Sequence, residues 1–404
     1  MAAFEQNGVL KGLKVLDFTI AVSGVFVAWQ FADLGAEVWK VEKYGDGDQA
    51  RTWGPFVNDL STLFASYNKN KQSIEMNLAA PEGKAIIYEM VKQCDVVVEN
   101  FKSGSIDRLG LGYEKLKEIN PRIVFISLSG FGATGPMVKY PCYDAIAAAR
   151  GGFAGSNGEP DGAPMKAGNS ICDTLTGIYT FNAALMALIE ARRTGEGCRV
   201  DVAMADVAIR SCEETLMDYA KYGSIQPRFG NHDRLVAPYG IFEARDGFSV
   251  IIADSDERFQ NLCDALGIPQ LKENSLFVDN ASRIKNKDAL IEKIEAVTRT
   301  LFRSQIEEKL LNAGVPASSI LTFIEAYTSN HANMVGVTEI VQQDKIGATR
   351  FYKNPIHFNN TACEIKRGSP LLGQDTDSIM KELGYSDEEI KALYDAEVIG
   401  SHRI

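Results

Sequence analysis

The sequence predicts an α/β protein built on a parallel sheet, with a second and smaller α+β block. Residues 13–127 alternate short apolar runs with amphipathic stretches, the pattern of strand–helix–strand units. After Gly223 the pattern changes to a hairpin followed by three helical segments. The 404 residues also exceed what one hydrophobic core ordinarily organises, so two domains are expected.

Residues 13–18 (LKVLDF) form an apolar run ending in a polar turn, which suits a buried parallel strand. Residues 25–34 are apolar at helical spacing and Gly35 stops them. Further strands are expected at 36–41 (AEVWKV), 96–98 (VVV) and 123–127 (IVFIS), with helices at 81–93 and 113–119. Units of this length imply right-handed crossovers. Residues 145–163 are rich in Gly and Ala. A helix over 174–193, closed by Gly195, leads to a strand at 199–204 and a longer helix ending near Tyr222. Residues 240–244 and 248–253 flank Arg245, Asp246 and Gly247 as a hairpin. Helices follow at 257–266, 287–300 and 304–313. The last 80 or so residues return to extended segments, until Ser386 and Glu389 form a capping box for a final helix. The domain plan is 1–200, a linker at 201–224, a small domain at 225–325, and a return at 326–404.

The formal net charge of −11 leaves no cation excess to neutralise phosphates, which argues against nucleic acid as a partner. No run near the start is long and apolar enough for a signal peptide. The best membrane candidate, 171–189, is interrupted by Asp173, Thr174, Thr176 and Asn182, so no membrane partner is expected. Seven cysteines are scattered without metal-ligand spacing, and the four histidines form no i,i+4 pair. Reduced thiols in a cytoplasm and no metal site are the simple reading.

Asp173 is the leading candidate for chemistry. It stands just before a long apolar helix, where an aspartate commonly caps the free N–H groups. The same position keeps a carboxylate ionised through the helix dipole, and an ionised carboxylate in an apolar segment can attack an acyl carbon. The two roles are compatible. Residues 98–116 (VENFKSGSIDRLGLGYEKL) place Lys102 and Arg108 on a Gly-containing turn after a strand, where α/β folds bind ligands. Such a turn suits a phosphate, and equally suits a solvated surface loop. The opening unit invites a dinucleotide reading with Glu42 on the ribose. However, its turn has a single glycine, Gly24, where the dinucleotide fingerprint needs three.

Several strings together resemble the class III CoA-transferases, the group that includes the formyl-CoA:oxalate, carnitine and bile-acid CoA-transferases. They are LKGLKVLDFT, LGAEVWKVEKYGDGD, NKNKQSIEMNLAAPEGK, VVVENFKSGSIDRLGLGYEKLKEINPRIVFISLSGFGATGP, YDAIAAARGGFAG, ICDTLTGIY, ALIEARRTGEGCRVDVAM and SPLLGQDTDSIMKELGYSDEEI. Their order and spacing span nearly the whole chain.

The resemblance implies a Rossmann-like large domain built from both termini, a small inserted domain, and an interlocked, ring-like homodimer. It implies transfer of CoA from an acyl-CoA to a carboxylic acid, through an aspartyl–acyl anhydride and an aspartyl-CoA thioester. Asp173 matches the nucleophile. No tightly bound cofactor is implied, because coenzyme A is itself the substrate. Val22 and Ser23 match CoA contacts after the first strand. Lys43 matches a position near the adenosine 3′-phosphate. Met76, Leu78 and Ala79 match the adenine stretch. Asn100, Phe101, Lys102 and Arg108 match the phosphate-side turn. Tyr143 and Asp144 match the mouth of the site, and Trp53 and Phe64 border the acyl pocket.

The chain departs from the family pattern in three places. RFGNHDRLVAPYG stands in place of a glycine-run loop, which argues for a different shield and against oxalate as acceptor. Asp375 replaces a histidine in GQDT, and AVSGVF lacks a proline after its glycine. The apolar mouth, without an evident second cation, points to a monocarboxylic acid. The α-methylacyl-CoA racemases of the same family would need a histidine where Tyr143 stands, and a tyrosine with pKa near ~10 is a poor base. A noncatalytic CoA-binding protein would not need Asp173.

Overall fold

The computed structural model describes residues 7–223 and 228–402. The chain divides into two compact units. One comprises Met1–Phe153, Ala167–Glu214 and Asn333–Ile404, and the other Ala154–Lys166 and Thr215–Ala332.

The first unit holds a seven-stranded sheet. Its strands are β1 (Lys14–Asp17), β2 (Glu37–Lys43), β3 (Gln72–Met76), β4 (Val96–Glu99), β5 (Val124–Ser129), β6 (Arg199–Ala203) and β7 (Ile399–Gly400). The spatial order is β7-β3-β2-β1-β4-β5-β6, parallel except for β7, which runs antiparallel to β3. Val15 of β1 is level with Val38 on one side and Val96 on the other. The chain therefore winds outward from β1 first one way and then the other. The crevice at the carboxyl ends of β1 and β4 is the ligand position of such a sheet.

Side chains alternate between two cores. Val15, Val38, Val96, Val98, Val124 and Ile126 face α1 (Ser23–Asp33) and α4 (Ile171–Thr194). Leu16, Trp39, Val97 and Phe125 face the other way, onto α2 (Pro81–Val91) and α5 (Thr376–Glu382). Both faces are covered, which is why these strands read as unbroken apolar runs. Each buried Val, Leu or Phe contributes roughly 1.5–3 kcal/mol. Helix α4 has the length and hydropathy to cross a membrane. Half of that window is buried in the fold, with Phe181, Ala184 and Leu188 in the sheet's core.

Three details differ from the sequence reading. Strand β3 was not expected, because QSIEM has no apolar run; Ser73 and Glu75 are nevertheless fully buried and hydrogen-bonded. Helix α4 begins at Ile171, so Asp173 lies inside its first turn and not ahead of it. The long helix expected to end near Tyr222 is two helices, Met204–Arg210 and Glu213–Tyr222.

The second unit carries an antiparallel sheet of Ala317–Ser319, Gly247–Ile252 and Tyr239–Ala244. Helices Asp256–Ala265, Lys287–Thr298 and Arg303–Asn312 pack on it through Phe259, Leu262, Leu290, Ile294, Ile306 and Leu310.

Candidate active site

Asp173 is the third residue of α4 and only 9% exposed. It does not cap its own helix. That role falls to Asp144, the first residue of α3 (Asp144–Arg150), whose Oδ1 accepts the Cys172 N–H at 2.8 Å and the Asp173 N–H at 3.3 Å. The Asp173 carboxylate lies beside the Ser23 side chain at the start of α1, which favours its charged form. Burial, and then the charge of Asp144, push its pKa up to about 6 against the opposing influence of Ser23. The helix terminus therefore does not hold this carboxyl at its ordinary acidity. The group is still roughly nine-tenths ionised at pH 7.

Around Asp173, the Tyr67 hydroxyl is pushed up by burial and by the Asp173 charge. Burial and the nearby carboxylates raise the Cys142 and Cys172 thiols to about 11 each. These thiols stay protonated at neutral pH, whereas the Asp173 carboxyl is mostly ionised. Gly177, one turn along α4, lets α1 come close: a Cβ there would lie 2.5 Å from Phe26 Cδ1. This close approach brings the start of α1, with Ser23, to Asp173.

A cavity of about 800 Å³ opens at the carboxyl ends of the central strands. The β1–α1 loop contributes Thr19 and Ile20 to its wall, the end of β2 and the segment after it contribute Val41 through Gln49, and Met76, Leu78, Ala79, Phe101 and Leu109 are among the remaining lining residues. The Asn100 side chain holds the loop by both ends of its amide, accepting Ile20 N–H and donating to Ile20 O, each at 2.8 Å. Gly24 is needed here, because a Cβ would meet Asn100 Cγ and Thr19 Cγ2 at 2.8 Å. The single glycine of the opening turn thus serves side-chain packing.

Of the residues singled out in the sequence, Lys43, Met76, Leu78, Ala79 and Phe101 line this cavity. Lys102 and Arg108 stand exposed on the turn between Phe101 and Leu109, with Arg108 bonded to Ser105 Oγ at 2.8 Å. Val22 and Ser23 open α1, and Ser23, Asp144 and the exposed Tyr143 gather at the Asp173 end. Phe64 is fully buried beneath the Arg51 guanidinium, 3.7 Å from the ring centre, and neither it nor Trp53 lines the cavity. The sequence reading passed over Thr19, Ile20 and the stretch from Tyr44 to Gln49. The available signal was the Gly-Asp-Gly-Asp run, where Gly45 and Gly47 take φ of +81° and +70° and turn the chain along the cavity. Among the described residues, no group of three or more His, Cys, Asp or Glu is placed to hold a metal ion.

The family model for CoA-transferase family III matches residues 10–376. An acetyl-CoA:oxalate CoA-transferase of Acetobacter aceti is 36% identical over 380 residues, covering 94% of this chain and 96% of that protein. The succinyl-CoA:glutarate CoA-transferase of Homo sapiens is 33% identical over 399 residues, covering 97% and 90%. The crystal structure of a CAIB/BAIF family protein from Brucella suis superposes with a TM-score of 0.86 at 34% identity, covering 94% of this chain and 100% of that one. The chain belongs to CoA-transferase family III, and is an enzyme that moves coenzyme A between an acyl-CoA and a carboxylic acid.

Proposed function

We propose that Asp173 is the nucleophile of the transfer and carries first the acyl group and then CoA. Its carboxylate attacks the donor thioester carbonyl, the C–S bond breaks, and an aspartyl–acyl anhydride and CoA thiolate form. The thiolate attacks the Asp173 carbonyl carbon, the donor acid leaves as its carboxylate, and an aspartyl-CoA thioester remains. The acceptor carboxylate displaces the thiolate again. That thiolate then attacks the acceptor carbonyl, which frees Asp173 and releases the acceptor-CoA.

One observation carries this reading. A buried carboxylate with a raised pKa, beside Ser23, sits at the foot of a loop whose Thr19 and Ile20 line a cavity of about 800 Å³. A more basic carboxylate is a better nucleophile, and the Ser23 hydroxyl is placed to orient it. On this reading Val22 and Ser23 lie near the thioester, and Lys43 near the 3′-phosphate. Met76, Leu78 and Ala79 hold the adenine. Asn100, Phe101, Lys102 and Arg108 hold the diphosphate side, and Tyr143 and Asp144 border the mouth.

Two further points belong to the proposal. The acceptor is a small dicarboxylic acid, a change from the monocarboxylic expectation. Relatives named for oxalate and glutarate transfer support it. The working form is an interlocked homodimer. In the first unit Met186 and Ile189 of α4, together with Ile340 and Tyr352, are large apolar side chains left exposed in a single chain, as an interface would require.

The test is to mix the protein with acetyl-CoA or succinyl-CoA, treat with hydroxylamine, and read Asp173 by mass spectrometry. Modification at Asp173 is expected. Asp173→Asn should bind CoA and lose exchange by ~10³-fold or more. An unmodified Asp173 with acyl-CoA bound, or an active Asp173→Asn, would refute the assignment.

A further inference from the structure

We propose that the buried Lys40–Asp48 pair is a positioning device that holds the β1–α1 loop and so aims the Ser23 hydroxyl at Asp173. The inference rests on the nucleophile reading above and deepens it.

The loop between Asp17 and Ser23 is held by side chains at almost every step. Asp17 Oδ1 accepts the Thr19 N–H and hydroxyl, at 2.8 and 2.5 Å. Lys40 Nζ donates to Thr19 O at 2.7 Å. Asn100 takes both polar groups of Ile20. Asp48 Oδ1 accepts the Ala21 N–H at 3.0 Å and the Ala50 N–H at 2.9 Å. Ala21 takes φ of +64°, a conformation that residues with a Cβ avoid. Among the described residues the other non-glycine residues with positive φ are Asn58, Asp59, Asn70, Lys345 and Glu397, so only Ala21 lacks a polar side chain. Its conformation therefore depends on partners elsewhere in the fold, and two residues later Ser23 meets Asp173.

The partners form a compact charged network beneath the loop. Lys40 pairs with Asp48 at 2.8 Å, Lys71 with Asp17 at 2.9 Å, and Arg51 with Glu42 at 2.7 Å, and all six are buried. Glu42 Oε2 also accepts the Asp48 N–H at 3.0 Å. Although burial opposes its charge, Asp48, Asp17 and Glu42 hold the Lys40 ammonium above its ordinary pKa. Three cations meet three anions, so the network is neutral. Buried ion pairs of this kind contribute little net stability compared with apolar packing. Their use is to fix a geometry that apolar packing would not specify. The same loop presents Thr19 and Ile20 to the cavity, so one device sets both the CoA wall and the serine.

The test is Lys40→Met, because Lys40 is fully buried and does not line the cavity. Folding is followed by circular dichroism and melting, and transfer by kcat, KM for acyl-CoA, and the rate of hydroxylamine-trapped labelling at Asp173. We expect kcat and the labelling rate to fall by ~10–100-fold with KM changed less than ~3-fold, the signature of a misplaced reacting group. Adding Ala21→Gly should recover ~5-fold or more of the lost kcat, since glycine takes positive φ unaided. If Lys40→Met does not fold, Asp48→Asn is read by kcat and the labelling rate alone, because Asp48 lines the cavity; it can keep both amide bonds while losing the charge. Wild-type kcat and labelling in the folded variant would overturn the positioning role. So would a loss that Ala21→Gly does not relieve. In either case labelling that is still abolished by Asp173→Asn leaves the nucleophile assignment standing.

Discussion

The Asp144 carboxylate accepts the main-chain N–H groups of Cys172 and Asp173, at 2.8 and 3.3 Å, and its charge opposes ionisation of Asp173. One residue thus caps helix α4 and makes the neighbouring carboxylate more basic. Because burial and Asp144 raise the Asp173 pKa to about 6, kcat/KM should fall with a slope of one below about pH 6. Asp144→Asn can still accept the two N–H groups but carries no charge, so its acid limb should move to lower pH. Asp144→Ala removes the cap as well and should cost about 1 kcal/mol of stability. Rate profiles from pH 4.5 to 8 and urea melts of the three proteins check this.

The raised pKa of Asp173 also has a stability consequence. A carboxyl that is harder to ionise in the folded state stabilises the fold fully below its unfolded pKa, near 3.8, and that stability is lost as pH rises through about 6. Asp173→Asn keeps the acceptor for Ser23 and cannot ionise. It should therefore be more stable than the wild type at pH 8, by at most roughly 3 kcal/mol, and little different at pH 4. Thermal melts at the two pH values give the answer. An enzyme stabilised by loss of one carboxylate would be trading stability for a reactive group.

Gly177 lets α1 and α4 touch, with the Phe26 ring where its Cβ would be, at 2.5 Å. Gly177→Ala gains helix propensity of about 1 kcal/mol, but must push Phe26 aside, and Phe26 packs edge-on against Trp29 at 5.2 Å. Overpacking of this kind costs typically 1–3 kcal/mol, so the net expectation is destabilisation by about 1 kcal/mol. Activity should fall more than stability, because α1 carries Ser23. A Tm and a kcat for the variant test both statements.

The parallel sheet could be read in the sequence because strands such as residues 96–98 are apolar on both faces, and both faces are covered. Strand β3 could not. Its Ser73 N–H reaches Asp375 at 2.9 Å and its Glu75 N–H reaches Thr376 at 3.3 Å, and partners some 300 residues away leave no local pattern. Asp173 stood out through its place at a helix start and the strings around it. Asp144 matches the mouth of the site through the family resemblance, but its capping role leaves no local signal, since it is contributed by a separate helix 29 residues earlier. The Lys40–Asp48 pair was hidden for another reason. Lys40 falls in an expected strand and Asp48 in the turn after it, and only the fold brings the two together in a buried pair.

Glu99 closes β4 beside the cavity and is buried at 2% exposure. Its Oε2 accepts the Phe101 N–H at 2.8 Å, and its Oε1 contacts the Ser127 hydroxyl. Burial raises its pKa to about 7, against the two hydrogen bonds and Arg199. The stability of its neutral form is present below the ordinary carboxyl pKa of 4.5 and is lost as pH rises through about 7. In neutral form one oxygen accepts from Phe101 while the other donates to Ser127, and a glutamine amide can do both without ionising. Glu99→Gln should therefore flatten the decline in stability between about pH 4.5 and 8 and exceed the wild type at pH 9 by roughly 1–3 kcal/mol. Phe101 lines the cavity, so the acyl-CoA affinity of the wild type should weaken over the same range and that of the variant should not. Urea midpoints and CoA titrations at pH 6 and 9 decide it. A wild-type affinity equal at both values would mean that Glu99 supports the strand end without governing the turn at Phe101.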